Sequence, residues 1–283
     1  MTTQLSPTVA KACCATAYSS DAVALVLGES YHPGGLKLTR HLAELAGLQA
    51  GQRVLDIASG PGTTAMMLAS EFGVSVDGVD LAHPTVLRAT ASAAGSKLSD
   101  RVAFLVGDAE RLPFEDATFD MVVCECAFCT FPDKPTTAAE IARVIKPGGR
   151  VALSDVTVTS GGLPPEFAGI AGWVACLADA RTLEEYAAIL RVAGLETLTM
   201  ERHDEALATM VDQIHARLTA LRLVTGTSPV LQGVDFGRAL DLTAQAARAV
   251  AQGHIGYGLL VAHRPLTGSL GAAQDGPRPP PPA

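Results

Sequence analysis

The sequence predicts an α/β fold: a doubly wound, seven-stranded, mostly parallel sheet with helical cap segments. Three observations carry that expectation. Short apolar runs alternate with longer helical patterns, as in repeated strand–helix–strand units. The run "VLDIASGPGTTAMMLA" (54–69) reads as a buried strand that stops on a glycine-rich turn and restarts as a helix. Acidic residues recur at the ends of the first three runs, at Asp56, Asp80 and Asp108.

Each element follows in order. Residues 1–48 read as an N-terminal helical cap ahead of the first strand, and residues 49–265 as the sheet-bearing domain. The strands are expected at 53–58, 75–80, 102–107, 119–126, 150–158, 196–202 and 256–264. Helical patterns cover 62–72, 84–94, 135–145 and 182–193, and "KPGGR" (146–150) is a turn that stops a helix and feeds the fifth strand. Residues 160–181 form an irregular or helical addition. The Ala- and Leu-rich stretch 204–253 is a helical insertion before the last strand. The Pro/Gly-rich tail 266–283 is too poor in apolar groups to pack, so it is expected to be disordered.

Composition narrows the function classes. With 283 residues, 48% of them hydrophobic and 18% charged, the chain can bury one sizeable core. A net charge of −8, and no run of Lys/Arg interleaved with aromatics, argue against nucleic acid as a partner. No apolar stretch approaches the roughly 20 residues that span a bilayer, and the first residues lack the apolar core of a signal peptide. The expectation is a cytoplasmic protein without a membrane partner. Thiols stay reduced there, so Cys13, Cys14, Cys124, Cys126, Cys129 and Cys176 are ligands, catalytic groups or core filler, and none has the spacing of a structural zinc site.

In an open parallel sheet a ligand sits beyond the carboxyl ends of the strands, where the strand order reverses. The turn "DIASGPGTT" lies there. Gly60 and Gly62 remove side chains that would keep a ligand from the main chain, and the amides opening the next helix offer donors. Asp80, 24 residues after Asp56, is placed to accept both hydroxyls of a ribose, and Asp108 to accept from an adenine amino group. A strand-end Asp can equally be a helix cap or turn former.

The segments "VLDIASGPGT", "VDGVDLA", "VGDAERLPFEDATFDMVV" and "ARVIKPGGRVALSDV", covering roughly residues 50–158, resemble the Rossmann-like methyltransferases that use S-adenosylmethionine. The resemblance implies that S-adenosyl-L-methionine is the cofactor. It implies Asp56, Ala58, Gly60 and Gly62 at its methionine end, Asp80 and Leu81 at the ribose, and Asp108 and Ala109 at the adenine. Thr63 and Cys124 complete the expected cofactor set. A dinucleotide dehydrogenase fits less well, because the turn is ASGPGT rather than G-x-G-x-x-G.

The methyl acceptor is read from the residues around the donated methyl. Cys13 and Cys14 in "KACCATAY", the "PDK" six residues after Cys126, and Cys176 followed by Ala180 and "EEY" resemble the arsenite methyltransferases. That resemblance implies a thiol-bound trivalent arsenical as substrate, a cellular reducing thiol as partner, and Cys14, Cys176 and Cys126 as the residues that present it. Cys13 and Cys129 are further ligand candidates. No cysteine follows Cys176, so Cys13, Cys14 or Cys129 has to supply the sulfur that the family carries near its C-terminus. Soft thiolates select such a soft centre over Mg or Ca. The alternatives are methylation of an organic small molecule on C, O or N with a Glu or His as base, and a thiol-based sensor on a degenerate fold. His32 in "ESYHPGG" reads as a turn histidine fixed by Pro33 and Gly34, with a substrate or cofactor contact as the other reading; Tyr18 and Trp173 are cap aromatics that either line the pocket or fill its core.

Overall fold

The computed structural model describes residues 7–28, 30–159, 177, 179–223 and 229–266. Trp173, Cys176, most of the addition at 160–181 and the tail from residue 267 lie outside them. Among the described residues all seven expected strands form one sheet: β1 (Arg53–Ile57), β2 (Ser75–Asp80), β3 (Val102–Val106), β4 (Phe119–Glu125), β5 (Ile145–Val158), β6 (Glu196–Arg202) and β7 (Ile255–His263). Their order is β3-β2-β1-β4-β5-β7-β6. The first five are parallel to one another, whereas β7 runs antiparallel to both β5 and β6. The order reverses beside β1, so the crevice between the ends of β1 and β4 is the place where this architecture holds a ligand.

Burial explains why these runs are strands. β1, β4 and β7 are buried along nearly their whole length, as strands covered on both faces are, while the edge strands β3 and β6 keep exposed side chains. One boundary moves. β5 starts at Ile145 rather than Arg150: Ile145 pairs with Phe119 and Arg150 with Met121, so residues 146–149 bulge within the ladder instead of forming a separate turn.

Nine helices surround the sheet among the described residues. α1 (Pro7–Tyr18), α2 (Asp21–Leu27) and α3 (Gly35–Leu45) precede β1. α4 (Thr63–Phe72), α5 (His83–Ala94), α6 (Lys134–Val144) and α7 (Leu183–Val192) follow strands, α7 starting on a Thr182/Glu185 capping box. α8 (Asp204–Leu223) and α9 (Phe236–Ala251) pair as a hairpin between β6 and β7. α3 packs on α4 and α6 on α7. The hairpin has its own small core of Leu218, Leu231 and Phe236, joined by Val26 of α2. The N-terminal helices and the insertion therefore share apolar contacts, and the Arg217 guanidinium reinforces them by donating to the Val26 carbonyl at 3.1 Å. No helix among the described residues is long and apolar enough to cross a membrane.

Candidate active site

A cleft of about 1190 Å³, open mouth included, lies over the carboxyl ends of β1, β2 and β4. Its floor is the turn after β1. Ala58 takes φ 58° although it is not glycine, and Gly60 (φ 54°) lets the main chain fold under the cleft. A Cβ built on Gly60 would meet nothing closer than the Ala58 carbonyl at 4.0 Å, so this position is kept open toward the cleft. Gly62 differs. It does not line the cleft, and a Cβ there would stand 2.5 Å from the Phe104 ring, so its absent side chain serves helix packing and a left-handed cap at φ 82°.

Three strand-end aspartates line the cleft, two beneath it and one at its rim. Asp56 is buried, and its Oδ2 has no hydrogen-bond partner. Burial pushes its carboxyl well above the usual carboxylate range, and the charges of Glu125 and Asp80 push it the same way. Asp80 accepts from the backbone N–H groups of Gly60 (3.0 Å) and Ala82 (2.8 Å), latching the glycine turn to the end of β2. Burial raises its carboxyl too, opposed by those two donors. Asp108 stands two residues beyond β3 at the rim, where Lys11 of α1 bridges it (2.7 Å) and Glu110 (2.6 Å).

The opposite wall is built from distant segments. Glu125, the last residue of β4, accepts from the hydroxyls of Thr39 on α3 (3.0 Å) and Thr64 on α4 (2.8 Å). His32 is buried against it, with Nε2 3.4 Å from Glu125 Oε2 and Nδ1 3.3 Å from the Pro33 carbonyl. Both residues line the cleft, with Cys14, Tyr18, Tyr31 and Phe131 as its apolar part. The histidine in "ESYHPGG" is thus more than a turn former: the turn aims it at a buried carboxylate.

Residues 54–149 match the methyltransferase domain family. The 27-O-demethylrifamycin SV methyltransferase of Amycolatopsis mediterranei is 32% identical over 81% of this chain and 83% of its own length. The chain belongs to the S-adenosylmethionine-dependent methyltransferases. Another relative, the arsenite methyltransferase of Halobacterium salinarum, is 30% identical over 59% of this chain, which spans 43% of that protein. Among solved structures, a Haemonchus contortus phosphoethanolamine N-methyltransferase in complex with phosphomonomethylethanolamine and S-adenosylhomocysteine superposes with a TM-score of 0.73 at 24% identity, over 89% of this chain and 57% of that one.

The cleft of this methyltransferase fits its cofactor by a measure internal to the structure. Among the described residues, five buried side-chain polar atoms lack a hydrogen-bond partner, and four of them, on Ser30, Asp56, Ser59 and Thr85, belong to residues lining this cleft. Buried polar atoms are ordinarily satisfied, so four unsatisfied ones around a single cavity mark a site shaped for a polar ligand. Ala58, Thr63, Leu81 and Ala109 line the same space.

The cysteines of the methyltransferase divide sharply. Cys14 and Cys126 line the cleft. Cys13, Cys124 and Cys129 do not: Cys13 sits half-buried on α1, and Cys124 and Cys129 are fully buried in the core. Cys124 was expected to contact the cofactor, yet its position in β4 points it into the sheet's apolar layer, where burial pushes its thiol well up. Cys126 should share that face by strand alternation. It escapes because its φ of 52° ends the extended geometry. Among the described residues no three thiols converge. Ser30, Ser59, Thr85, Glu125, Thr39 and Thr64 were not among the expected site residues; an ionisable Glu inside the apolar run "FDMVVCEC" is the signal that could have found the strongest of them.

Proposed function

We propose that the methyltransferase acts on a hydroxyl group of a neutral or cationic organic small molecule, with His32 as general base and Glu125 as its counter-charge. The observation that carries this reading is the buried His32–Glu125 pair facing the cleft. With Nδ1 directed at the Pro33 carbonyl, Nε2 is the nitrogen able to take the acceptor's proton, and the resulting imidazolium sits beside the carboxylate that Thr39 and Thr64 hold in place. Among the described lining residues Lys11 is the one Lys or Arg, and it is committed to Asp108 and Glu110, so a phosphate-bearing acceptor finds no cation here. The relative from A. mediterranei is named for an O-demethylated substrate, which supports the same chemistry.

S-adenosylmethionine, when bound, supplies an electrophilic methyl group on a positively charged sulfur. Around it, Asp56, Ala58, Gly60 and Thr63 would hold the methionine end, and Asp80 and Leu81 the ribose. Asp108 and Ala109 would take the adenine edge, with Ser59 and Thr85 satisfying their unpaired hydroxyls on the ligand. The chain's own work is then to exclude water with α1 and to hold the acceptor oxygen in line.

A second reading keeps a trivalent arsenical as acceptor, and Cys14 and Cys126 on the cleft wall favour it. One experiment separates the two. The enzyme is incubated with S-adenosylmethionine and either hydroxylated aromatic and polyketide acceptors or arsenite with a reducing thiol, and products are read by mass spectrometry. O-methylated organic products that vanish in His32→Ala and survive in Cys14→Ser support the first reading. Methylated arsenicals that vanish in Cys14→Ser and survive in His32→Ala replace it with the second.

A further inference from the structure

Away from the cleft, three potential metal ligands converge on the opposite side of α3. Glu201 near the end of β6 and His203 just beyond it are two residues apart on an extended segment, so their side chains stand on one face. His41 reaches the same point from α3, 160 residues earlier. Both imidazoles present Nε2 to one oxygen, Glu201 Oε2, at 2.8 Å from His41 and 3.0 Å from His203. The rings meet edge to face with centroids 5.7 Å apart, which leaves both Nε2 atoms aimed inward. All three ligand atoms lie within 4.8 Å of one another, and this is the one such group among the described residues.

We propose that His41, Glu201 and His203 form a binding site for a divalent transition-metal ion of the zinc class. Zinc–nitrogen and zinc–oxygen bonds of about 2.0–2.2 Å in a tetrahedron put ligand atoms about 3.3–3.5 Å apart, so small side-chain rotations convert the hydrogen-bonded cluster into a ligand set. Two imidazoles and a carboxylate select zinc, nickel, cobalt or copper and discriminate against Mg and Ca, which want oxygen. Of the four Lys and Arg residues bordering the adjoining cavity, three are committed elsewhere: Arg40 pairs with Glu71, Arg202 with Asp204, and Arg217 donates to the Val26 carbonyl, leaving Lys37 on α3 as the fourth. His41 and His203 also border a second large cavity, which leaves the fourth coordination position open to water or an exogenous ligand. An ion held there ties α3 to the edge strand of the sheet. α3 also carries Thr39, which holds Glu125, so the ion braces the helix that supports the acceptor wall.

The test is calorimetric titration of the full chain with Zn²⁺, paired with the visible absorption of Co²⁺. The expected result is one Zn²⁺ site per chain that keeps its affinity in a Cys14→Ser/Cys126→Ser variant and weakens at least 100-fold in His203→Ala and in His41→Ala. The Co²⁺ ligand-field band of the parent should vanish in the same histidine variants. All three ligands are partly exposed, so these variants are expected to fold, and metal-free thermal melts check it. Should the melts show that the alanine variants do not fold, His203→Gln and Glu201→Gln, read by the Co²⁺ band, decide the matter. The proposal is overturned if the parent binds no Zn²⁺ below about 1 mM, or if binding is lost in the cysteine variant and kept in His203→Ala.

Discussion

The two walls of the cleft are built in different ways. The β1–β2 side is made of local motifs: Asp56, Ala58 and Gly60 fall within five residues, and Asp80 at the end of the next strand latches them through the Gly60 N–H. The β4 side is made by convergence. His32, Thr39, Thr64 and Glu125 come from four separate places in the chain and meet around a single carboxylate. On the proposed reading the first wall serves a ligand common to a whole family, and a short motif can encode it. The second would then serve whatever this particular enzyme methylates, and its residues are positioned by tertiary structure.

The largest expected effect breaks the second wall alone. His32→Ala should lower kcat by about 100- to 10,000-fold, the usual contribution of a general base, while calorimetric affinity for S-adenosylmethionine stays within about twofold. Equal losses in both quantities would place His32 on the cofactor instead. Next come the two glycines of the turn. Gly62→Ala should cost about 2–4 kcal/mol of stability, from a left-handed backbone plus overlap with the Phe104 ring, read by denaturant unfolding. Gly60→Ala carries the backbone cost of about 1–2 kcal/mol, and its distinctive loss should be in cofactor affinity.

Asp80→Ala should weaken cofactor binding by about 1.5–3 kcal/mol, since it removes a charged acceptor and releases the turn. Unchanged affinity would take Asp80 out of the site.

Asp56 gives a pH signature. Its folded-state carboxyl is raised, by burial first and then by Glu125 and Asp80, so the folded chain keeps a proton that the unfolded chain releases. Its contribution to stability is full below the ordinary carboxylate range and is lost as pH rises through the raised value. Asp56→Asn should therefore raise the Tm of the ligand-free protein near neutral pH, with no gain in strong acid; a pH series of thermal melts checks it. The smallest effect belongs to the rim, where Lys11→Ala should cost about 0.2–1 kcal/mol and the difference should shrink in high salt.

The same contrast explains what was legible in the sequence. All seven strands and the glycine turn were, because each rests on a local apolar run bounded by turn residues. Asp56 and Asp80 were, because a strand end followed by a helix start fixes where a carboxylate points. Gly62 was read as part of the cradle because its neighbour in space, Phe104, is 42 residues away in the chain. Strand alternation alone would put Cys124 and Cys126 on one face, but alternation holds only while the backbone stays extended, and at Cys126 it does not. His32 was underweighted because nothing near it announces Glu125, 93 residues on. The antiparallel direction of β7 was invisible for a related reason: the apolar run Ile255–His263 reads the same both ways.

That last strand has a consequence for how the chain assembles. β6 touches the sheet through β7 alone, and 52 residues, 203–254, separate the two in the chain. During synthesis β1 to β5 can zip together in sequence as they emerge, but β6 has no partner until β7 inserts between it and β5. Until then both the β5 edge and β6 present unpaired backbone groups, which is when a nascent chain is most open to mispairing with another. The α8–α9 hairpin, with its own apolar cluster against α2, can order before that strand arrives and shorten the search for it.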